Sequence, residues 1–297
     1  MEQASARRGK TLWKRRVVLI IMLLVLLVTV ILFYDSNTRI AVDEYELIYS
    51  GLPEAFDGFR IVVLSDLHGA EFGKDNERLL AIVRDAEPDV IALTGDFIDK
   101  YSKPQLLRQL EITVSLAAAL MESAPVYFVT GNHDWDSGEV RLLISSLEEH
   151  GVTVLRNQYV LLESDAQRIV LAGTDDPNGP ADMVRPVDFI KRIRDEQGDA
   201  FIVLLEHRNY NLSLYSTLGV DLVLSGHGHG GIVRLPFTDG LLGTRRDLFP
   251  SHTSGVYTEG DTNMVVSRGL DGAFPWVRFL NNPHVPVVVL GNSMSTG

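Results

Sequence analysis

Short apolar segments alternate with amphipathic segments along most of this chain. Residues 60–65, 89–94 and 125–129 are apolar runs of the length typical of strands buried on both faces of a parallel sheet. Between them, apolar residues recur at helical spacing over 79–83 and again over 104–121. Three strands that alternate with helices predict a parallel sheet whose strands all end at one edge.

The second half of the chain continues this alternation. Helices are predicted at 139–150 and 187–194, and a segment rich in glycine and proline follows at 235–253. Further strands, including one that precedes the first unit, are predicted at 40–49, 152–155, 160–162, 169–172, 201–205, 220–225, 264–267, 277–280 and 285–290. This number of additional strands predicts a second sheet layer.

The longest apolar stretch lies near the amino terminus, where Thr29 is the only non-apolar residue of 17–33. Trp13 and Tyr34 flank this stretch as interface residues, so residues 17–34 are predicted to form one transmembrane helix. A cleaved signal peptide is the alternative. Its apolar segment would be shorter, however, and the residues that follow Tyr34 offer no cleavage site of the small-x-small type.

A basic tail precedes this helix. Residues 1–16 contain one acidic residue, Glu2, against six basic ones: Arg7, Arg8, Lys10, Lys14, Arg15 and Arg16. Because positive charge flanks the cytoplasmic ends of membrane helices, the tail is predicted to stay in the cytoplasm and the rest to lie at the outer face of the cytoplasmic membrane. Residues 35–37 are then a short linker and residues 38–297 form the soluble domain. The opposite topology, with the domain acting on a cytoplasmic lipid-linked pyrophosphate, is the alternative.

Composition limits what this domain can be. The chain has 297 residues, of which 45% are hydrophobic, and this is ample apolar material for one large domain. The absence of cysteine excludes disulfides, thiolate metal ligands and a cysteine nucleophile. The net charge of −12 includes the basic tail, so the domain is more acidic still, and nucleic acid is not expected as a partner. The oligomeric state is not predicted.

Polar residues follow five of the predicted strands at the point where each strand ends. The five motifs, with x for any residue, are Asp66-x-His68, Gly95-Asp96-x-x-Asp99, Gly131-Asn132-His133-Asp134, His207 and Gly226-His227-x-His229. Because parallel strands end at one edge, we expect these side chains to lie close together. Carboxylate, imidazole and amide ligands without thiolates suit Mn²⁺, Fe²⁺ or Zn²⁺, and they are too many for one ion. Two divalent ions bridged by one carboxylate would use all of them, and such a pair favours phosphoryl transfer.

In order and spacing, the five motifs resemble the signature blocks of the calcineurin-like metallophosphoesterases. The resemblance covers residues 60–231, continues weakly to residue 290, and is greatest to the membrane-anchored, phosphodiesterase-like branch. It implies an α/β fold in which a two-layer β-sandwich is flanked by helices. It also implies hydrolysis of a phosphoester, with a phosphodiester favoured, by a hydroxide that bridges two metal ions.

The resemblance further implies a role for each motif residue. The two ligand sets, which share one residue, are Asp66, His68, Asp96 and His229 for one ion and Asp96, Asn132, His207 and His227 for the other. Asp96 would therefore bridge the two ions. His133 would protonate the leaving group, and Asp99 would orient His133.

Two positions depart from the pattern of this family. Gly228 replaces a polar residue, often threonine, between the last two histidines, and Arg208-Asn209 stands where this branch often has a proline. Neither change removes a ligand, but both leave the substrate preference open. We predict that the loops at 174–185 and 236–253 determine which substrate binds.

Several polar residues outside these roles have simpler interpretations. Asp175 and Asp176 favour a turn over a ligand pair, and Arg208 and Arg268 are candidates for phosphate contact that ordinary surface arginines would also explain. The histidines outside the motifs are predicted to be structural or exposed: His150, His252 and His284. The alternative function is a non-catalytic metal-binding module of the same fold. Such modules typically lack a ligand or the catalytic histidine, whereas this sequence has the full set.

Overall fold

A computed structural model describes residues 2–180, 184–235, 238–243, 248–271 and 278–293. The helices within these ranges are α1 (Glu2–Thr38), α2 (Glu77–Asp85), α3 (Lys103–Leu120), α4 (Asn132–Asp136), α5 (Val140–Glu149), α6 (Pro186–Gln197) and α7 (Leu212–Thr217), with short 3₁₀ turns at Glu54–Phe56, Lys74–Asn76 and His229–Gly231. The strands are β1 (Ala41–Tyr49), β2 (Arg60–Leu64), β3 (Val90–Leu93), β4 (Val126–Phe128), β5 (Thr153–Val154), β6 (Gln158–Ser164), β7 (Gln167–Gly173), β8 (Ile202–Leu205), β9 (Leu222–Ser225), β10 (Gly255–Glu259), β11 (Thr262–Val266) and β12 (His284–Asn292).

The strands form two six-stranded sheets. The first has the order β1-β12-β2-β3-β4-β5, and the second has the order β10-β11-β9-β8-β7-β6. In the first sheet, β2 to β5 run parallel, as the successive strand and helix units predict. In the second sheet, β7, β8, β9 and β11 run parallel, while β6 and β10 pair antiparallel at its two edges.

Alternation along the strands separates three apolar cores. Ile61 and Val63 of β2 pack between the two sheets, together with Val203 of β8. Their neighbours Val62 and Leu64 point the other way, into a core shared with α2, α3 and α5. On the far side of the second sheet, α6 and α7 cover a third core. The layers are therefore helices, sheet, sheet and helices, which confirms the predicted sandwich.

The predicted elements agree with the structure to within a few residues, except at short or irregular segments. The sequence pattern missed α4 and α7, because a helix of one or two turns is too short to show helical periodicity. It also missed β10, a short edge strand. Of the predicted strand at 277–280, residue 277 lies outside the described residues, and Phe279 forms only an isolated bridge to Val233.

Helix α1 is continuous and enters the domain without a linker. Its segment Trp13–Thr38 is the one helix of the described residues that is long and apolar enough to cross a membrane, and its most apolar part is not buried against the domain. Residues 35–37, predicted as a linker, instead form the last turns of α1. They are helical because their backbone and side chains bond to the loop before β12, for example from Asn282 Nδ2 to Asp35 O at 2.7 Å.

Candidate metal centre

Five strands bring the motif residues to one edge of the sandwich. β2, β3 and β4 are parallel neighbours in the first sheet, and β8 and β9 are parallel neighbours in the second. The segments that directly follow these strands contain all seven predicted ligands, with four from the first sheet and three from the second: Asp66, His68, Asp96, Asn132, His207, His227 and His229. The two layers are joined here, since His207 Nδ1 of the second sheet bonds to Thr94 O of the first at 2.7 Å.

Asp66, His68 and His229 form one group of potential ligands. Their nearest ligand atoms all lie within 4.8 Å of one another, and all three residues are buried. His229 Nε2 lies 3.3 Å from Asp66 Oδ1 and 3.3 Å from His68 Nε2. Three donor atoms that converge in this way surround a point at which one cation could bind.

Asp96, His207 and His227 form a second group of the same kind. His207 Nε2 lies 2.9 Å from Asp96 Oδ2 and 3.3 Å from His227 Nδ1. Asn132 lies beside this group, because the backbone N–H of the next residue, His133, donates to Asp96 Oδ1 at 2.7 Å. Each of these two groups contains only residues that the resemblance assigns to one ion, and His68 also forms a third group with Asp99 and His133.

Hydrogen bonds on the outer side of the imidazole rings orient three of the histidines. His207 Nδ1 donates to Thr94 O, and His229 Nδ1 donates to Asp271 O at 3.1 Å. His68 Nδ1 lies 3.0 Å from Asp99 Oδ1. Each bond leaves the Nε2 atom of its ring facing the cluster, which is how proteins orient histidines for metal binding.

Two buried oxygens show that this cluster fits a metal ion. Asp96 Oδ2 and Asn132 Oδ1 have no hydrogen-bond partner among the described residues. Asp96 Oδ2 is unpaired when the His207 ring is neutral with its proton on Nδ1, the form that binds a metal, because His207 Nε2 and Asp96 Oδ2 are then both acceptors. Asn132 Oδ1 is unpaired whatever the charge of His207. Unpaired buried oxygens are costly, and a cation between these acceptors would remove that cost.

The charges of the site also favour a cation. Burial disfavours the protonated form of His207, but the charge and hydrogen bond of Asp96 outweigh burial and raise the pKa of His207 to about 10. Burial likewise disfavours protonated His68, yet the hydrogen bond to Asp99 raises its pKa to about 9. Burial lowers the pKa of His227 to about 3. Each carboxylate cluster thus attracts positive charge, the role that a metal ion fills when it displaces protons from its ligands.

His133 is the exposed imidazole of the site. Its side chain is 42% exposed, and its Nδ1 atom lies 2.7 Å from Asp99 Oδ1. Its ring packs edge-on against His68, with 5.0 Å between ring centroids. Burial opposes protonation, but the hydrogen bond to Asp99 outweighs it and raises the pKa of His133 above its ordinary value. A protonated ring that faces solvent beside the two ligand groups has the properties of a general acid.

Asp99 and Asp134 tie the segments of the site together. Asp99 contacts His133, as the resemblance implies, and also His68, a contact that the sequence did not indicate. Asp134 is fully buried and accepts four backbone N–H bonds, which tie together the loops that carry Asp96 and Asn132. Its donors are Asp96 and Gly131 at Oδ2 and Phe97 and Ile98 at Oδ1. Only its place in the third motif could have indicated this role.

Five of the seven predicted ligands have left-handed backbone conformations, which non-glycine residues rarely adopt. These are Asp66, His68, Asp96, His227 and His229, with φ between 45° and 66°. Such conformations cost about 1 to 3 kcal/mol each and persist where the surroundings enforce them. The loop that carries Asp96 packs closely against the backbone of Gly131, since a Cβ atom on Gly95 would lie 2.6 Å from the Gly131 backbone nitrogen. This close packing restricts the conformation of the loop.

The aspartate pair and the two candidate phosphate-binding arginines of the sequence analysis form ion pairs within the fold. Asp175 and Asp176 are buried and belong to no candidate metal group among the described residues. Arg156 Nη2 lies 2.8 Å from Asp175 Oδ2, and Arg208 Nε lies 2.7 Å from Asp176 Oδ2. Arg268 Nη1 lies 3.0 Å from Asp43 Oδ2. Each arginine therefore has a carboxylate partner within the fold.

The three histidines outside the motifs belong to no candidate metal group among the described residues. His284 is buried, with Nε2 3.0 Å from Asp43 Oδ2. His150 is exposed and bonds to Ser146 O at 2.8 Å. His252 packs edge-on against Tyr257, with 4.6 Å between ring centroids. His252 belongs to one of the two loops predicted to select the substrate, and residues 181–183, 236–237 and 244–247 of these loops are outside the described residues.

The two departures from the family pattern touch each other. A Cβ atom on Gly228 would lie 2.7 Å from Asn209 Nδ2, and this amide also donates to His252 O at 2.6 Å. The backbone of Gly228, at φ −77°, would accept any residue, so the limit is space. Glycine at 228 and asparagine at 209 therefore fit as a pair.

We expect Gly228→Thr alone to displace the loop between His227 and His229. Overpacking of this kind lowers the free energy of unfolding by about 1 to 3 kcal/mol. In the Asn209→Ala background the clashing amide is absent, so Gly228→Thr should lower the free energy of unfolding by less. We expect a coupling energy between the two positions of about 0.5 to 3 kcal/mol. Urea unfolding of the four proteins measures this coupling. Additive effects would show that the two positions are independent.

A double sheet that carries this mixed nitrogen and oxygen ligand set at one edge defines a metallophosphoesterase. The chain belongs to the calcineurin-like phosphoesterase family, whose sequence profile matches residues 59–231. The family membership indicated by the five motifs is thereby confirmed.

Three relatives illustrate the family. The chain is 30% identical over 254 residues to the uncharacterized metallophosphoesterase YkuE of Bacillus subtilis (strain 168), covering 84% of this chain and 85% of that protein. It is 32% identical over 204 residues to the transmembrane protein with metallophosphoesterase domain of Danio rerio, covering 64% of this chain and 44% of that protein. It is 26% identical over 245 residues to phosphodiesterase YaeI of Escherichia coli (strain K12), covering 78% of this chain and 82% of that protein.

Proposed function

We propose that this chain is a membrane-tethered phosphodiesterase that hydrolyses its substrate at two divalent metal ions. The observation that carries the proposal is the pair of buried ligand groups, which lie side by side with an exposed histidine next to them. A relative named as a phosphodiesterase supports the choice of a diester. The binding-module alternative gives no reason for an exposed, Asp99-oriented imidazole at this place.

The seven ligands would hold the ions in two sets that share Asp96. The sets are Asp66, His68, Asp96 and His229 for one ion and Asp96, Asn132, His207 and His227 for the other. These ligands suit Mn²⁺, Fe²⁺ or Zn²⁺, and the supply of ions in the cell selects among them. When bound, the two ions would withdraw charge from the phosphate and lower the pKa of a water molecule between them.

His133 would supply the proton that the reaction needs. Water loses one proton to solvent, and its oxygen forms a bond to phosphorus as the bond to the leaving oxygen breaks. The leaving alkoxide takes the proton from His133 Nε2, and the neutral ring then regains a proton from solvent. Asp99 Oδ1 accepts a hydrogen bond from His133 Nδ1, so the Nε2 atom of the same ring would point towards solvent and the substrate. The products are an alcohol and a phosphomonoester.

Hydrolysis of bis(p-nitrophenyl) phosphate tests this function. Purified full-length protein should bind two equivalents of Mn²⁺ and release p-nitrophenol, and a chelator should abolish release until Mn²⁺ is restored. Metal content and turnover are measured on the same samples. Two bound equivalents without hydrolysis of any mono- or diester would instead support a non-catalytic metal-binding module.

We further propose that α1 anchors the enzyme with its catalytic domain outside the cytoplasm. The proposed boundaries are a cytoplasmic tail at 1–16, a membrane helix at 17–34 and a domain that starts at 38. The basic tail and the length of the apolar helix support this topology. Protease added to intact cells should digest an outward domain. Protection of the domain until the cells are lysed would show that it faces inward.

A further inference from the structure

The metal centre lies at the edge of the sandwich where α1 enters the domain. From this placement, and resting on the proposed function, we infer that the substrate is a lipid phosphoester in the same membrane that holds α1. The inference names the substrate class and is independent of the side of the membrane on which the domain lies.

Strand register places the end of α1 beside the ligand loops. Ala41, the first residue of β1, pairs with His284 of β12. β12 is antiparallel to β2, and their pairing ends with Val287 opposite Val62. Beyond this pair, residues 269–271 lie between the two segments, because the His284 N–H donates to Gly269 O and the Leu270 N–H donates to Ser65 O. Neighbouring strands are about 4.8 Å apart, so Ala41 lies about 14 Å from Ser65 across three such spacings. Asp66, the first predicted ligand, is the next residue.

The connection between α1 and the domain is rigid. α1 ends at Thr38 and β1 begins at Ala41. Three bonds fix its last turns to the loop before β12: Asn282 Nδ2 to Asp35 O at 2.7 Å, Leu280 N to Ser36 Oγ at 2.8 Å and Asn37 Nδ2 to Arg278 O at 2.8 Å. A fourth bond, from Arg78 Nη2 to Thr38 O at 2.7 Å, closes the end of the helix. The domain therefore cannot swing freely around its anchor.

The loop that holds the helix also contacts the metal centre. Arg278 donates through Nη2 to Asp271 O, the same oxygen that accepts the His229 Nδ1 bond. The Asp271 N–H donates to Asp66 O at 2.9 Å. The side chains of Asn37 and Arg278 thus connect the end of α1 to Asp271. The backbone of Asp271 in turn bonds to two predicted ligands, His229 and Asp66.

The end of α1 lies at the depth of lipid headgroups. Thr38 follows Tyr34, the end of the predicted membrane segment, by four residues, or about 6 Å along a helix. The headgroup layer on each side of a bilayer is about 5 to 8 Å thick. The apolar side chains of 18–31 are exposed and do not pack on the domain, so the domain lies beyond the helix and its ligand edge faces the membrane.

A cavity of about 220 Å³ opens between the helix end and the ligand loops. Its lining includes Asn37, Thr38, Glu71, Arg78, Asp271 and Arg278. Neither Arg78 nor Arg278 forms an ion pair with a carboxylate of the described residues, whereas Glu71 is paired with Arg108 at 3.2 Å. Arg278 is buried and donates to the backbone oxygens of Arg268 and Asp271, whereas Arg78 is exposed. An exposed guanidinium without a carboxylate partner at headgroup depth attracts the phosphate groups of lipids.

A rigid extension of the anchor tests this inference. A helical insert of about 18 residues between Tyr34 and Asp35 adds about 27 Å in whole turns and leaves the contacts of residues 35–38 with the domain in place. The same insert between Arg16 and Val17, on the other side of the membrane segment, is the matched control. Full-length proteins are reconstituted with Mn²⁺ in phosphatidylcholine vesicles that contain phosphatidylglycerol or a polyprenyl pyrophosphate. Products are measured by mass spectrometry, and bis(p-nitrophenyl) phosphate serves as the soluble substrate.

We expect the wild type and the control to hydrolyse at least one of the two lipids. The extended protein should lose at least about tenfold in lipid turnover while its turnover of the soluble diester stays within about twofold. Equal lipid turnover by the extended protein overturns the inference. Hydrolysis of the soluble diester but of neither lipid also overturns it and leaves the proposed function standing. Hydrolysis of neither kind of substrate by the wild type overturns both.

Discussion

Asp96→Asn is expected to abolish turnover and to reduce the bound metal from two equivalents to one or fewer. Asparagine keeps the size of the side chain and the Oδ1 acceptor for the His133 N–H. It removes the charge that the two proposed ligand sets share and the oxygen that faces His207 Nε2 at 2.9 Å. We expect a loss of at least about 10³-fold in kcat/KM, which corresponds to about 4 kcal/mol of transition-state stabilisation.

Metal content by mass spectrometry and turnover of bis(p-nitrophenyl) phosphate measure this effect. Asp85→Asn is the matched control, because it makes the same change at an exposed position of α2. Circular dichroism of the metal-free proteins separates a loss of metal from a loss of fold. An Asp96→Asn protein that keeps two ions and normal turnover would remove Asp96 as the bridging ligand.

His133→Asn is expected to keep both metal ions and to lose turnover in proportion to the difficulty of the leaving group. A positioned general acid contributes about 10² to 10⁴-fold. The loss should be greatest for an alkyl diester, whose alkoxide needs a proton, and smaller for bis(p-nitrophenyl) phosphate, whose nitrophenolate leaves without one. His133 is not among the seven proposed ligands, although it lies close to His68 and Asp99, so we expect the metal content not to change.

The pH profile gives a second measurement of this role. The hydrogen bond to Asp99 raises the pKa of His133, so the ring stays protonated above the ordinary range and activity falls as pH rises through that raised pKa. The variant should lack this alkaline decline. His150→Asn, at the exposed end of α5, is the control. Undiminished turnover of an alkyl diester by His133→Asn would exclude His133 as the acid.

The local pattern of the sequence was sufficient for most of the fold. Runs such as 61–64 and 201–205 are apolar at every position because both of their faces are covered, and the structure places them at the centre of the two sheets. Short elements were missed, since α7 has six residues and shows no periodicity. The motifs at the strand ends were equally visible, because parallel strands place their following loops at one edge whatever the order of the strands.

The tertiary structure alone decided how these residues meet. Asp134 bonds to the loop of Asp96, Asn209 fills the space left open by Gly228, and Asn282 fixes the end of α1 beside the metal centre. These contacts join positions that are far apart in the chain and depend on sheet order and strand register. The sequence by itself determined which chemical groups are present and which strand each one follows, because these depend on local composition and periodicity. The pairing of strands that are distant in the sequence decides which of these groups touch. It also decides that α1 enters the domain at the edge that carries the predicted ligands.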